Sequence, residues 1–198
     1  MKPATPEIDE KPYSPGRAAW TAIGLGGTFF CITLMFAALG SLMEVGGFCA
    51  SGGPYVISVP CPDGIEWIMP LGFFSVMIGF FVYAGSRLKH GPDWSIVSWA
   101  ALFVSLGWGF LMDGLNPSGG EGLRWGSLGI AVFFALMGLA PILLIGEGAF
   151  VKPFVGQTPD TSKGTVRGLE SQGVQVVLHI AATVGGFILA QFLLRTVS

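Results

Sequence analysis

Residues 18–43 read Ala-Ala-Trp-Thr-Ala-Ile-Gly-Leu-Gly-Gly-Thr-Phe-Phe-Cys-Ile-Thr-Leu-Met-Phe-Ala-Ala-Leu-Gly-Ser-Leu-Met, without one charged side chain. At a helical rise of about 1.5 Å per residue, such a run exceeds the ~30 Å hydrocarbon core of a bilayer. It predicts a spanning helix that tilts or protrudes. A cleavable signal would need an apolar stretch of only about 7–15 residues behind a short basic leader. Here the leader is long and carries Glu7, Asp9 and Glu10, so the run reads as a retained first span.

Outward from it, the same pattern recurs at 65–84, 95–111, 125–145 and 174–194. Charged residues make up 11% of the 198-residue chain and hydrophobic ones 52%, where a soluble domain carries roughly 25% charged residues. The expected fold class is therefore all-α, a polytopic transmembrane helix bundle of five spans. Residues 17–198 form one membrane domain. Residues 1–16, with Pro3, Pro6, Pro12 and Pro15 among charged residues, read as a disordered tail that cannot bury a core.

The bases orient the chain. The tail and the second and fourth connections hold Lys2, Lys11, Arg17, Arg87, Lys89, Lys152, Lys163 and Arg167, while the opposite side keeps Arg124 and Arg195. By the positive-inside rule this predicts an N-terminus inside and a C-terminus outside. Tryptophans sit where interfacial belts form: Trp20 and Trp94 at inner ends, Trp67, Trp108 and Trp125 at outer ends, with Trp99 deeper.

The first outer connection runs Cys49-Ala-Ser-Gly-Gly-Pro-Tyr-Val-Ile-Ser-Val-Pro-Cys61. Two turn signals frame a short β-like run, and a loop on the non-cytoplasmic side permits oxidation. A Cys49–Cys61 disulfide is expected, closing a loop of about a dozen residues for roughly 3 kcal/mol on the chain-entropy model. Against a redox role, no Lys, Arg or His lies nearby to depress a thiol pKa. Cys31, among Phe29, Phe30 and Ile32, reads as an unmodified packing residue. It continues a small-residue pair from Gly27, beside the row Ala18, Ala22 and Gly26, and such rows permit close helix approach.

The last run is the most patterned. Gln175, His179 and Thr183 recur every four residues, followed by Gly186 and Ala190 near the same side. Polar groups in a span face protein rather than lipid, so this face packs into the bundle or onto a partner. His179 is the sharpest candidate: a haem ligand, quinone contact or proton relay on one reading, a hydrogen-bonded packing histidine on the other. The second histidine, His90, is in a loop, so a bis-histidine haem lacks a second ligand within a span. Packing is the expected role.

Glu44, Asp113 and Glu147 stand near the C-terminal ends of the first, third and fourth spans, the unfavourable end of a helix dipole for an anion. Turn residues next to each favour solvated boundary charges; the alternatives are pairing with Arg124 or Arg195, or cation binding. No metal-ligand spacing, nucleotide motif or catalytic triad is present, and no cofactor is implied. Nucleic acid is not an expected partner.

The segment Gly47-Phe48-Cys49-Ala50-Ser51-Gly52-Gly53-Pro54-Tyr55, with Pro60-Cys61-Pro62-Asp63-Gly64 after it, resembles a loop of small uncharacterised integral membrane proteins of actinobacteria. The resemblance covers about twenty residues and the order of spans around them. It implies the plasma membrane of a Gram-positive, high-GC bacterium and carries no activity and no catalytic residue. Two functions are then in view. One is a non-enzymatic accessory or scaffold protein in the lipid bilayer, acting through helix packing on other membrane proteins or on a second copy. The other is a redox or transport component that uses His179.

Overall fold

The computed structural model describes residues 13–45, 61, 64–88, 91–117, 122–144, 152–156, 169 and 171–197. Those residues form α1 (Pro15–Glu44), α2 (Ile65–Ser86), α3 (Ser95–Leu115), α4 (Trp125–Leu144), the single turn α5 (Lys152–Val155) and α6 (Gln172–Val197). Among the described residues there is no strand. Helices α1, α2, α3 and α6 are long and apolar enough to cross a membrane. Helix α4 is apolar and 20 residues long, about 30 Å at the α-helical rise. The chain is a multi-pass, all-α integral membrane protein.

Local sequence sets the helix ends. Ser14 caps α1: its Oγ accepts from the Arg17 amide at 3.3 Å, and Pro15 occupies the first helical position, where no amide hydrogen is needed. The first described residue also belongs to the bundle: buried Tyr13 donates its hydroxyl to Thr21 Oγ1 at 2.8 Å, so residues 13–16 of the expected tail at 1–16 are part of the folded structure. Asp93 Oδ1 accepts from the Ser95 amide at 3.2 Å and starts α3. Gly64, at φ 79°, turns the chain into α2 in a conformation that disfavours any Cβ. Two threonines of the first span are satisfied locally: Thr28 and Thr33 donate to the carbonyls four residues back, each at 2.8 Å.

Helix α1 is the axis. It packs along α2 on one side and α6 on another, and touches α3 more lightly. Among the described residues, the extensive contact of helix α4 is with α3. In lipid, apolar burial drives no association between helices, so close backbone approach has to hold them. Glycines provide it. A Cβ on Gly24 would fall 2.6 Å from the Tyr83 nitrogen, and one on Gly79 would fall 2.9 Å from the Gly24 carbonyl oxygen; these two define the α1–α2 crossing. Gly26 and Gly186 define the α1–α6 crossing in the same way. Between α3 and α4, Gly107, Gly114 and Gly138 admit Ala131, Leu128 and Phe103. Phe134 stacks on Phe103 and Phe110 at 6.1 and 5.7 Å.

The outward surface is what lipid requires. Trp67, Leu71, Phe74, Ile78 and Phe81 form an exposed apolar stripe along α2, and α4 and α6 carry similar ones. Trp20, Trp67, Trp108 and Trp125 are exposed near helix ends, as a belt requires. Trp94 departs from that expectation. It lies at a helix end but is buried against Phe154 and His179.

Candidate functional site

His179 sits where four segments converge: the C-terminal part of α2, the turn into α3, the N-terminal part of α6, and α5 behind Trp94. The helical period brings Gln175, His179 and Ala190 to complete or near-complete burial, with Gly186 also buried. The whole patterned face of α6 is thereby used inside the chain. His179 Nδ1 lies 2.7 Å from the carbonyl oxygen of Gln175. A carbonyl has no hydrogen to offer, so Nδ1 carries the proton and donates. In the neutral ring Nε2 is then an acceptor, and it lies 3.0 Å from Tyr83 Oη.

Tyr83, which no motif in the sequence marked, is the centre of this cluster. Its Oη accepts from the Trp94 amide at 2.7 Å and reaches the Pro92 carbonyl at 3.1 Å. One hydroxyl hydrogen thus has two acceptors in range, Pro92 O and His179 Nε2. The rings of Tyr83 and Trp94 pack edge-on or tilted to the imidazole, at 5.5 and 5.8 Å. The available signal was that Tyr83 is the one tyrosine in a span otherwise rich in phenylalanine, and a buried phenol needs a partner.

Around the cluster, polar groups tie the same ends together. Arg87 pairs with Asp93 at 2.9 Å, and Arg17 donates to the Arg87 carbonyl at 3.3 Å. Gln175 Nε2 donates to the Leu169 carbonyl, and Gln172 Nε2 to that of Val155 at 2.7 Å. Gln175 Oε1 and Thr183 Oγ1 are buried without a hydrogen-bond partner among the described residues. Thr183 therefore shares the face without joining the network.

At the opposite end, Asp113 corrects the expectation of a solvated boundary charge. It lies within α3, is buried, and accepts from Arg124 at 3.1 Å and from Ser127 Oγ. The α3–α4 turn returns Arg124 to the end of α3, where its amide also meets the Gly114 carbonyl at 3.0 Å. Glu44, the last residue of α1, is exposed as expected. Glu147 and Cys49 lie outside the described residues, so the Cys49–Cys61 pair remains an expectation. Cys31 is a free thiol, partly buried against the Ile32, Met35, Val76 and Leu102 cluster. Among the described residues no three His, Cys, Asp or Glu side chains gather as metal ligands do.

No protein-family model matches the chain, and no curated protein or solved structure shows significant similarity to it.

Proposed function

We propose that this chain is a non-enzymatic accessory or scaffold protein of the bacterial plasma membrane, threaded with its N-terminus inside and its C-terminus outside. One observation carries the preference for packing over redox or transport chemistry. Both ring nitrogens of His179 lie within hydrogen-bond distance of groups of the bundle itself, Nδ1 of Gln175 O and Nε2 of Tyr83 Oη. Iron ligation would require breaking one of these contacts in a buried site. The face that looked available to a partner is occupied by α1. What α2, α4 and α6 leave for other membrane proteins, or for a second copy, is their exposed apolar surface.

Co-purification from mild detergent tests this reading. His179→Gln keeps a polar side chain of similar size but lacks the imidazole's titration and ligand nitrogen. The variant should insert at normal levels and retain the wild-type set of partners. Loss of a visible chromophore, or of a respiratory or transport phenotype, at normal protein level would replace the scaffold with the redox or transport reading.

Threading and the outer loop have their own tests. A cysteine placed at Ser118 should react with an impermeant reagent from outside intact cells, and one at Ser162 only after lysis. External reaction at Ser162 would reverse the topology. Non-reducing peptide mapping should show Cys49 joined to Cys61 and Cys31 reduced; free thiols at both positions in protein from intact cells would remove the disulfide.

A further inference from the structure

A cavity of about 380 Å³ opens between the C-terminal ends of α1 and α3, lined among others by Phe36, Gly40, Glu44, Trp108, Met112 and Asp113. That volume is in the range of small-molecule sites. Its walls are mostly apolar, and its polar groups lie toward the helix ends. Gly40 leaves it open, since a Cβ there would meet nothing within 4 Å.

The charge at this end is one-sided. Two helix C-termini converge here, each the negative end of a helix dipole, and neither last turn carries a basic side chain. The charge of Asp113 is balanced by Arg124, and Ser127 donates a hydrogen bond to its other oxygen. Glu44 is exposed and has no ion-pair partner among the described residues. Trp108, half exposed, adds an aromatic ring, whose face attracts cations.

These features select among ligands. A divalent metal wants several oxygen ligands, and this site has one free carboxylate on apolar walls. An anionic or zwitterionic head group would bring a phosphate into a negative field, where Arg124 is already paired with Asp113. We propose that the cleft binds a cationic amphiphile, an alkylammonium with its head at Glu44 and Trp108 and its tail along Phe36 and Met112. The site is independent of the scaffold reading, since no residue of the His179 cluster takes part.

The test uses the full chain in phosphatidylcholine nanodiscs and two photoactivatable probes with the same dodecyl tail, one ending in trimethylammonium and one in sulfate. The ammonium probe should label peptides from the ends of α1 and α3 saturably, in competition with unlabelled alkyltrimethylammonium. Gly40→Leu fills the cavity from a position with free space and should cut labelling about tenfold, equivalent to ~1.4 kcal/mol. Glu44→Gln should cut it by about fivefold at unchanged protein level. Equal labelling by the sulfate probe, labelling that rises linearly with concentration, or wild-type labelling of Gly40→Leu would each overturn the proposal.

Discussion

Gly186→Ala should cost about 3 kcal/mol or more and release α6 from the bundle, whereas Gly185→Ala, one residue away, should be neutral or stabilising. A Cβ at position 186 would stand 2.1 Å from the Gly26 carbonyl oxygen and 3.1 Å from its Cα. Both obstacles are backbone, so no rotamer change relieves them. The helices would have to separate along the one extensive contact that α6 makes. Gly185 faces open space, with nothing within 4 Å of a Cβ, so alanine there gains only helix propensity, about 1 kcal/mol. Reversible unfolding of both variants by titration of a denaturing detergent measures the contrast. Equal stabilities for the two variants would mean that α1 and α6 do not cross at these glycines.

Both halves of that crossing were legible in part, Gly186 and Ala190 on the patterned side of one span and the small-residue row Ala18-Ala22-Gly26 in another. Their pairing was not, because a row of small residues states that something comes close without stating what. Gly24 and Gly79 escaped notice for a related reason. Each is a single glycine in an apolar context, and only the three-dimensional meeting with Thr28 and Tyr83 gives it meaning. The all-helical, membrane-spanning architecture was legible because hydrophobic run length is a physical requirement of the bilayer. Asp113 was misread because Gly114 after it resembles a helix stop. Pairing with Arg124 instead lets α3 continue to Leu115.

The Gln175, His179 and Thr183 face reads as one that packs into the bundle or onto a partner, and the centre of the cluster it joins lies elsewhere. A four-residue period identifies which side of a helix is buried; it says nothing of the partner on another span. That partner is Tyr83, which differs from a phenylalanine by a single oxygen. Its hydroxyl does three things at once: it accepts from the Trp94 amide, reaches Pro92 O, and lies against His179 Nε2. It thereby joins α2, the α2–α3 turn and α6 at one atom.

Tyr83→Phe should therefore be more damaging than either substitution of His179, although it changes less of the side chain. The Trp94 amide is at the N-terminus of α3, where helical amides have no intrahelical acceptor. Without the hydroxyl it is buried and unpaired, and so is His179 Nε2. A buried group left without its hydrogen bond costs about 1–3 kcal/mol, while polar contacts in membrane bundles average about 0.6 kcal/mol. Two orphaned groups place Tyr83→Phe at about 2–3 kcal/mol. His179→Leu leaves the Trp94–Tyr83 and Tyr83–Pro92 contacts intact and should cost only about 1 kcal/mol. The double variant separates the contributions: coupling between the two sites should be about 1 kcal/mol, the share of the orphaned imidazole, with the remainder of the tyrosine effect persisting when His179 is absent. Hydrogen exchange supplies the local readout. The Trp94 amide should lose protection in Tyr83→Phe and keep it in His179→Leu. If instead the whole cost of Tyr83→Phe disappears in the His179→Leu background, the histidine and not the tyrosine organises this end of the bundle.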